Sequence, residues 1–301
     1  MIELTHHDGD MLRFGFAGDT YNTAVYLARN APHDSVSIDY VTVIGDDWYS
    51  DRMLDAMQSE GIGDVAITRL PGRSPGLYLV RTSEHGERSF TYYRDTSPAR
   101  TLFDTADADL SSYDMVYLSA ITLQILTPEA RERLWAALAT VRANGGRVAF
   151  DTNYRPAGWS SVQDARSAIE RTLTITDIAL PTLNDEQLLY DDLDADACLD
   201  RIAASGVPEI VVKDGPNGCV VHDPSTRELV AGVVAESVVD TTAAGDSFNG
   251  AYLAARLAGA TPVAAAAAGH AMAVVVIGHP GAIVPATVLP RRPYGHGRTE
   301  T

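Results

Sequence analysis

Along the 301-residue chain, apolar positions recur at two spacings, and the switches between them mark the expected elements. Leu12–Phe16 alternates like a strand and runs into Ala17–Ala28, whose apolar spacing is helical. Strand Ser37–Ile44, helix Ser50–Ser59 and strand Val65–Leu70 keep the same rhythm. It resumes with strand Asp114–Ser119, a helix from Pro128 to Asn144 that stops at Gly145-Gly146, and strand Arg147–Asp151. Strand Ile178–Leu180, helix Ala195–Ser205 and strand Glu209–Lys213 follow, and helices Gly245–Ala258 and Pro262–Ile277 close the core. Strands alternating with helices predict an α/β fold built on a doubly wound, mostly parallel sheet. With no internal repeat and no interdomain linker, residues 1–285 read as a single domain, and 290–301 reads as a disordered tail.

The rhythm breaks once. Leu77–Thr82 and Ser89–Arg94 are period-two runs joined by Ser83–Arg88, which predicts a β-hairpin inserted into the α/β chain. By itself an insertion of this kind serves as a lid, a dimer contact or decoration.

Composition narrows the function classes. At 46% hydrophobic and 21% charged, the chain is that of an ordinary globular protein. A formal charge of -17 repels nucleic acid phosphates, and no basic stripe offsets it, so an anionic substrate needs a local arginine pocket. Only Cys198 and Cys219 are thiols, which fits a reducing cytoplasm better than a disulfide framework. The first eight residues lack the basic and apolar segments of a signal peptide. The most apolar run, Val263–Ile277, falls short of the roughly 20 residues a membrane span needs, and Gly269 and His270 interrupt it. No histidine pairing of the zinc type, no Walker loop and no dinucleotide fingerprint occurs.

The stretch Val239–Gly250, V-D-T-T-A-A-G-D-S-F-N-G, carries the chemistry. Ala243, Ala244 and Gly245 crowd a helix start with small residues, leaving first-turn N–H groups open to an anion at the positive end of the helix dipole. Asp246 follows inside that turn. A carboxylate beside a phosphate site is no phosphate ligand, so its role is to take a proton from a hydroxyl that attacks phosphorus. Capping by Asp240 and Thr241 alone requires neither two alanines nor a glycine.

This stretch resembles the D-T-x-G-A-G-D signature of the ribokinase-like (pfkB) carbohydrate kinases, with Ala243 at the family's glycine, and the double alanine is similar to their 2-keto-3-deoxygluconate kinase branch. The resemblance runs from Met1 to about Pro285. It implies a three-layer α/β/α fold with a small β-sheet lid from strands near 1–16 and 75–96, covering the sugar site. It implies transfer of the γ-phosphoryl of ATP to the terminal hydroxyl of a keto-deoxy sugar acid, with Asp246 as base and Ala244, Gly245 and Asp246 as the anion hole. Ala17-Gly18-Asp19-Thr20-Tyr21-Asn22 resembles the substrate motif G-G-D-x-x-N, and Asp151–Pro156 resembles D-N-N-Y-R-P. Gly18, Asp19, Asn22, Tyr78, Tyr92, Arg94 and Arg155 are therefore the expected substrate residues. A planar arginine fork suits a carboxylate, which neutral sugars lack.

On the nucleotide side the resemblance implies Asn184, Lys213, Gly215 and Gly281. Since Gln187 stands at the glutamate of the family's N-x-x-E, Glu186 or Asp185 is expected to hold the magnesium of ATP through water, and Glu186 is the one carried over. A monovalent cation near Asp240 and Thr242 and a homo-oligomer are further expectations. A relative acting on fructose, ribose, a nucleoside or an isomeric keto-deoxy acid, and a binding protein without turnover, remain the alternatives. Relatives also carry an apolar strand before the M-I-E-L that opens this sequence. A truncated start is therefore expected to leave a strand position empty, or filled by another segment, beside Ser37–Ile44 or Asp114–Ser119.

Overall fold

The computed structural model describes residues 1–8, 10–32, 34–82, 88–104 and 108–290. The hairpin turn around 83–87 and the tail 291–301 lie outside the described residues. In chain order the elements are β1 (Ile2–Asp8), β2 (Met11–Phe16), α1 (Asp19–Asn30), β3 (Thr42–Ile44), α2 (Trp48–Ser59), β4 (Ile67–Arg69), β5 (Leu77–Thr82), β6 (Arg88–Tyr93), β7 (Met115–Ser119) and α3 (Ala120–Ile125). Then come α4 (Pro128–Ala143), β8 (Arg147–Asp151), α5 (Val162–Leu173), β9 (Ile178–Ala179), α6 (Leu183–Tyr190), α7 (Ala195–Ala203), β10 (Glu209–Lys213), β11 (Cys219–Asp223), β12 (Thr226–Val230), α8 (Ala244–Leu257) and α9 (Pro262–Ile277).

The main sheet has the order β12-β11-β10-β9-β8-β7. Strands β7 to β10 are parallel, and the antiparallel pair β11 and β12 forms one edge. Side-chain alternation along the strands divides the core. Val148, Phe150, Ala179, Ile210 and Val212 face one way, into a cluster with Leu134, Leu138, Ile169 and Leu199 of α4, α5 and α7. Ala149, Ile178 and Val211 face the other way, against Phe248, Tyr252 and Ala265 of α8 and α9. The result is the expected α/β/α sandwich with ligand-facing loops at the carboxyl ends of β7, β8 and β9.

The second sheet, β2-β1-β5-β6, holds the predicted hairpin. β5 and β6 pair antiparallel from Leu77↔Tyr93 onward, while β1 runs parallel to β5 and antiparallel to β2. Its strands are exposed over much of both faces, as expected for a sheet that stands over a cleft and not inside the core.

Two strands are shorter than their sequence pattern predicts. Of Ser37–Ile44 only Thr42–Ile44 forms β3, with a separate bridge from Asp39 to Gly63, and β4 spans three residues. Among the described residues β3 pairs with β4 alone, as a separate two-stranded sheet, and β7 ends the main sheet, so β3 and β7 each keep an unpaired edge. Tyr113 OH reaches across to Asp39 Oδ2 at 3.1 Å. Among the described residues, no helix is long and apolar enough to cross a membrane.

Candidate active site

The site forms where α1 and α8 cross. Gly250 makes the crossing close, because a Cβ there would lie 2.7 Å from Leu27 N and from Thr23 O of α1. Gly18, ahead of α1, has φ 150°, a region that side chains of L-residues avoid, so glycine is what lets β2 turn directly into the helix. Asn22, one turn later, is 4% exposed and joins the two helices. Its Oδ1 accepts from Gly18 N at 3.3 Å and its Nδ2 donates to Asp246 Oδ2 at 2.8 Å. Thr23 Oγ1 donates to the Asp246 carbonyl at 3.3 Å.

Asp246 thus has a neutral hydrogen-bond partner in a strongly acidic neighbourhood. Burial, with the carboxylates of Asp19 and Asp151 adding to it, raises its pKa to about 7, against the pull of Asn22 and Lys213. Asp19 is pushed up as well, chiefly by burial and then by Asp151, although it accepts from Ser119 Oγ and, at 3.4 Å, from Asn153 Nδ2. Helix α8 starts from Ala243 in the left-handed region, φ 59° and ψ 17°, where glycine would be free of strain.

These groups line a cleft of about 1240 Å³ that also extends along the unpaired edge of β3, past Thr42, Ile44, Met53 and Met57. Gly18, Asp19, Asn22, Tyr78, Tyr92, Arg94, Arg155, Asn184, Gly245 and Asp246 all face it, so the structure brings the expected substrate residues together. Tyr78 donates its OH to Glu3 of β1, which fixes the ring against Tyr92 at 5.7 Å between centroids. The Arg94 guanidinium stacks 4.6 Å from the centre of the Tyr92 ring. Arg155 donates from Nη1 to both carboxylate oxygens of Asp185 at 2.9 Å, so its charge is already matched.

Several expected residues lie elsewhere. Ala244 does not line the cleft, and its N–H donates to Thr241 O at 3.3 Å, so of the three residues expected to form an anion hole only Gly245 and Asp246 face it. Glu186 is fully buried and turned from the cleft: it accepts from Thr152 Oγ1 and pairs with Arg201 at 2.6 Å. Its oxygen lies within 4.8 Å of ligand atoms of Asp192 and Cys198, but Arg201 also pairs with Asp192 at 2.6 Å and so takes the place a cation would hold. Asp185, one residue earlier, is the carboxylate that faces the cleft. Burial raises its pKa, while Arg155 and Lys213 pull it down.

Lys213, Gly215 and Gly281 do not line the cleft either. Lys213 is 6% exposed, with Nζ 3.1 Å from Asp151 Oδ2 and 2.9 Å from Asn249 Oδ1. A Cβ on Gly245 would sit 3.6 Å from that Nζ, which puts the ammonium directly under the first turn of α8. Gly215 opens a short turn after β10. Gly281 N donates to Asp240 Oδ2 at 2.5 Å, and Thr242 N donates to Asp240 Oδ1 at 2.9 Å, so Asp240 ties the approach to α8 to the segment after α9. Sequence reading gave no role to Ser119, Gln124 or Val238, and none of its own to Val239 at the start of the signature stretch. The first sits at the carboxyl end of β7, where the strand-end rule directs attention, and the two valines are exposed at the mouth beside Thr241.

Comparison with known proteins gives the family and the fold. The model of the pfkB family carbohydrate kinases matches residues 3–288. A relative from Dickeya dadantii named 2-dehydro-3-deoxygluconokinase is 43% identical over 298 residues, covering 96% of both chains. The solved PfkB protein from Polaromonas sp. JS666 superposes with a TM-score of 0.82 at 23% identity, over 96% of this chain and 95% of that one. An E. coli protein named as a ribokinase II, held with ATP and Mg²⁺, superposes with a TM-score of 0.80 at 22% identity, over 93% and 91%. The fold is ribokinase-like, and the chain belongs to the pfkB family of carbohydrate kinases.

Proposed function

We propose that this kinase phosphorylates 2-dehydro-3-deoxygluconate (2-keto-3-deoxygluconate) on its terminal hydroxyl, with ATP as donor. The observation that carries the reading is Asp246, raised to a pKa of about 7 at the start of α8 and held by Asn22 in a cleft that also contains Arg94, an arginine with no carboxylate partner among the described residues. In this reading Asp246 removes the hydroxyl proton as the oxygen attacks the γ-phosphorus. The bond to the β-phosphate breaks, ADP leaves with its electron pair, and the proton stays on Asp246. A base with a pKa near the working pH suits that exchange. The N–H groups of Gly245 and Asp246, at the positive end of the helix, hold the charge that spreads onto the phosphoryl oxygens.

Asp19 and Asn153 hold sugar hydroxyls, Tyr78 and Tyr92 form the wall of the lid, and Arg94 reads the carboxylate, beside an Arg155 whose charge Asp185 already matches. The nucleotide enters past Val238, Val239 and Asn184. Asp185 and Asn184 present oxygen donors at the cleft mouth, a set that fits magnesium held through water. Magnesium carried by ATP would neutralise phosphate charge there. The site near Asp240 would take a monovalent cation only by sharing a carboxylate that already accepts two backbone N–H groups.

Exposed Met11, Leu12, Phe14, Trp48 and Tyr49 support a second copy of the chain packing on the lid side. Equilibrium sedimentation checks this, and a monomer at micromolar concentration rules it out. The buried free thiols and the use of ATP support a cytoplasmic location. An ADP-coupled assay with the keto-deoxy acid, fructose and ribose tests the central reading. We expect turnover on the acid to exceed that on either neutral sugar by orders of magnitude, and comparable turnover would overturn it.

A further inference from the structure

Gln124 is buried at 6% exposure on α3 and touches both arginine-bearing parts of the cleft. Its Nε2 donates to the carbonyl of Arg155 at 2.7 Å, and its Oε1 accepts from Arg94 Nη2 at 3.2 Å. A carbonyl only accepts, so the first bond fixes which way the amide points and turns the oxygen toward Arg94. Gly158 adds an independent observation: a Cβ there would lie 2.1 to 2.4 Å from the amide atoms of Gln124. The turn after Arg155 therefore lies flat on this amide, and any side chain at 158 would push it aside.

Arg94 contrasts with Arg155. Arg155 is neutralised by Asp185, whereas the partners of Arg94 are the Tyr92 ring and the Gln124 oxygen, both uncharged, and no carboxylate among the described residues pairs with it. We propose that Gln124 is a positioning residue for anionic-substrate specificity: it holds the lid arginine in register with the Arg155 loop while leaving the Arg94 charge for the substrate. A shorter or apolar side chain releases both elements. A carboxylate at 124 neutralises Arg94 and faces the Arg155 carbonyl with a second acceptor. The inference rests on the sugar-acid reading above.

The test is steady-state kinetics of Gln124→Met, Gln124→Glu and Gly158→Ala. The substrates are 2-keto-3-deoxygluconate and the neutral analogue whose carboxylate is replaced by a hydroxymethyl group. We expect KM for the acid to rise about tenfold in Gln124→Met, the size of one charge-assisted contact, and further in Gln124→Glu. KM for ATP and for the neutral analogue should stay within about twofold, since neither ligand uses the positioned charge. Gly158→Ala should move the acid KM in the same direction with Gln124 intact, which keeps the test alive should a Gln124 variant fail to fold. Equal rises for acid and neutral analogue, or an unchanged acid KM in folded variants, would overturn the inference. If the unmodified protein itself shows no preference for the acid, the sugar-acid reading fails instead.

Discussion

Two carboxylate-rich regions of this molecule treat charge in opposite ways. Around Glu186 and Asp192, the Arg201 guanidinium pairs with both acids and also sits 3.8 Å from the centre of the Tyr190 ring. Around Asp246 and Asp19, the direct partners are Asn22, Ser119 and Asn153, all neutral. The first arrangement is closed and holds α6 against α7. The second leaves the charged form of Asp246 under-stabilised, which is what a proton acceptor at neutral pH requires. Lys213 marks the limit between them: paired with Asp151 under α8, it tempers the acidic cluster without touching the cleft.

Replacing one charged residue in each region breaks the comparison most sharply. Asp246→Asn should lower kcat by roughly 10² to 10⁴ with little loss of ATP binding, measured by initial rates and nucleotide titration. Arg201→Met should instead leave Glu186 buried without its cation and lower stability by about 3 kcal/mol or more in denaturant unfolding, with kcat of the folded enzyme nearly unchanged. If both variants lose activity alike, the division into a catalytic and a structural region fails. Next in size, Arg94→Ala should raise KM for the acidic substrate by about 10- to 100-fold, the equivalent of roughly 1.5 to 3 kcal/mol, and spare a neutral analogue.

The raised pKa of Asp246 also has a stability consequence, whose sign follows from linkage. The folded state binds this proton more tightly than the unfolded chain, so the contribution is present below the ordinary carboxylate range and is lost as pH rises through about 7. Asp246→Asn should therefore melt higher than the parent at pH 8, by roughly 2–4 °C for each kcal/mol regained, and the gain should shrink toward pH 5. The smallest expected effect is at Ala243. Glycine there relieves the left-handed strain and should add about 0.5 to 1 kcal/mol, read by thermal melting.

How far the sequence carried depended on how local each cause was. β8, β10 and α9 occur at the bounds their apolar pattern predicts, because apolar runs closed off by charged residues (V-A-F and I-V-V) and the Thr261-Pro262 start are local signals. The hairpin β11–β12 went unread because it lies at a sheet edge with mostly polar, exposed residues in β12. α5 was missed although Ser161 caps it through Asp164 N at 3.0 Å, a start signal present in the sequence.

The site shows the same division. Asp19, Asn22, Arg155 and Asp246 sit inside distinctive motifs. The choice between Asp185 and Glu186 is one step on a helix, about 100° of rotation, and nothing in L-N-D-E-Q says which of the two faces the cleft. Tertiary packing against Thr152 and Arg201 decides it. Lys213 was legible by a different route: it shares the strand face of Val211, which packs against α8, so period two already aimed it at the core. Gln124 carried no signal at all, since its partners lie 30 and 31 residues away.

The pH dependence of kcat/KM for the keto-deoxy acid tests the role of Asp246 most directly. With a pKa raised to about 7, Asp246 should make the rate fall about tenfold per pH unit on the acid side and level off above neutrality, and Asp246→Asn should be slow and lack that limb. A parent enzyme whose kcat/KM is flat from pH 5.5 to 8, or an Asp246→Asn enzyme that keeps the parent's rate and profile, would contradict the account (pH bounds being about one to two units around that pKa).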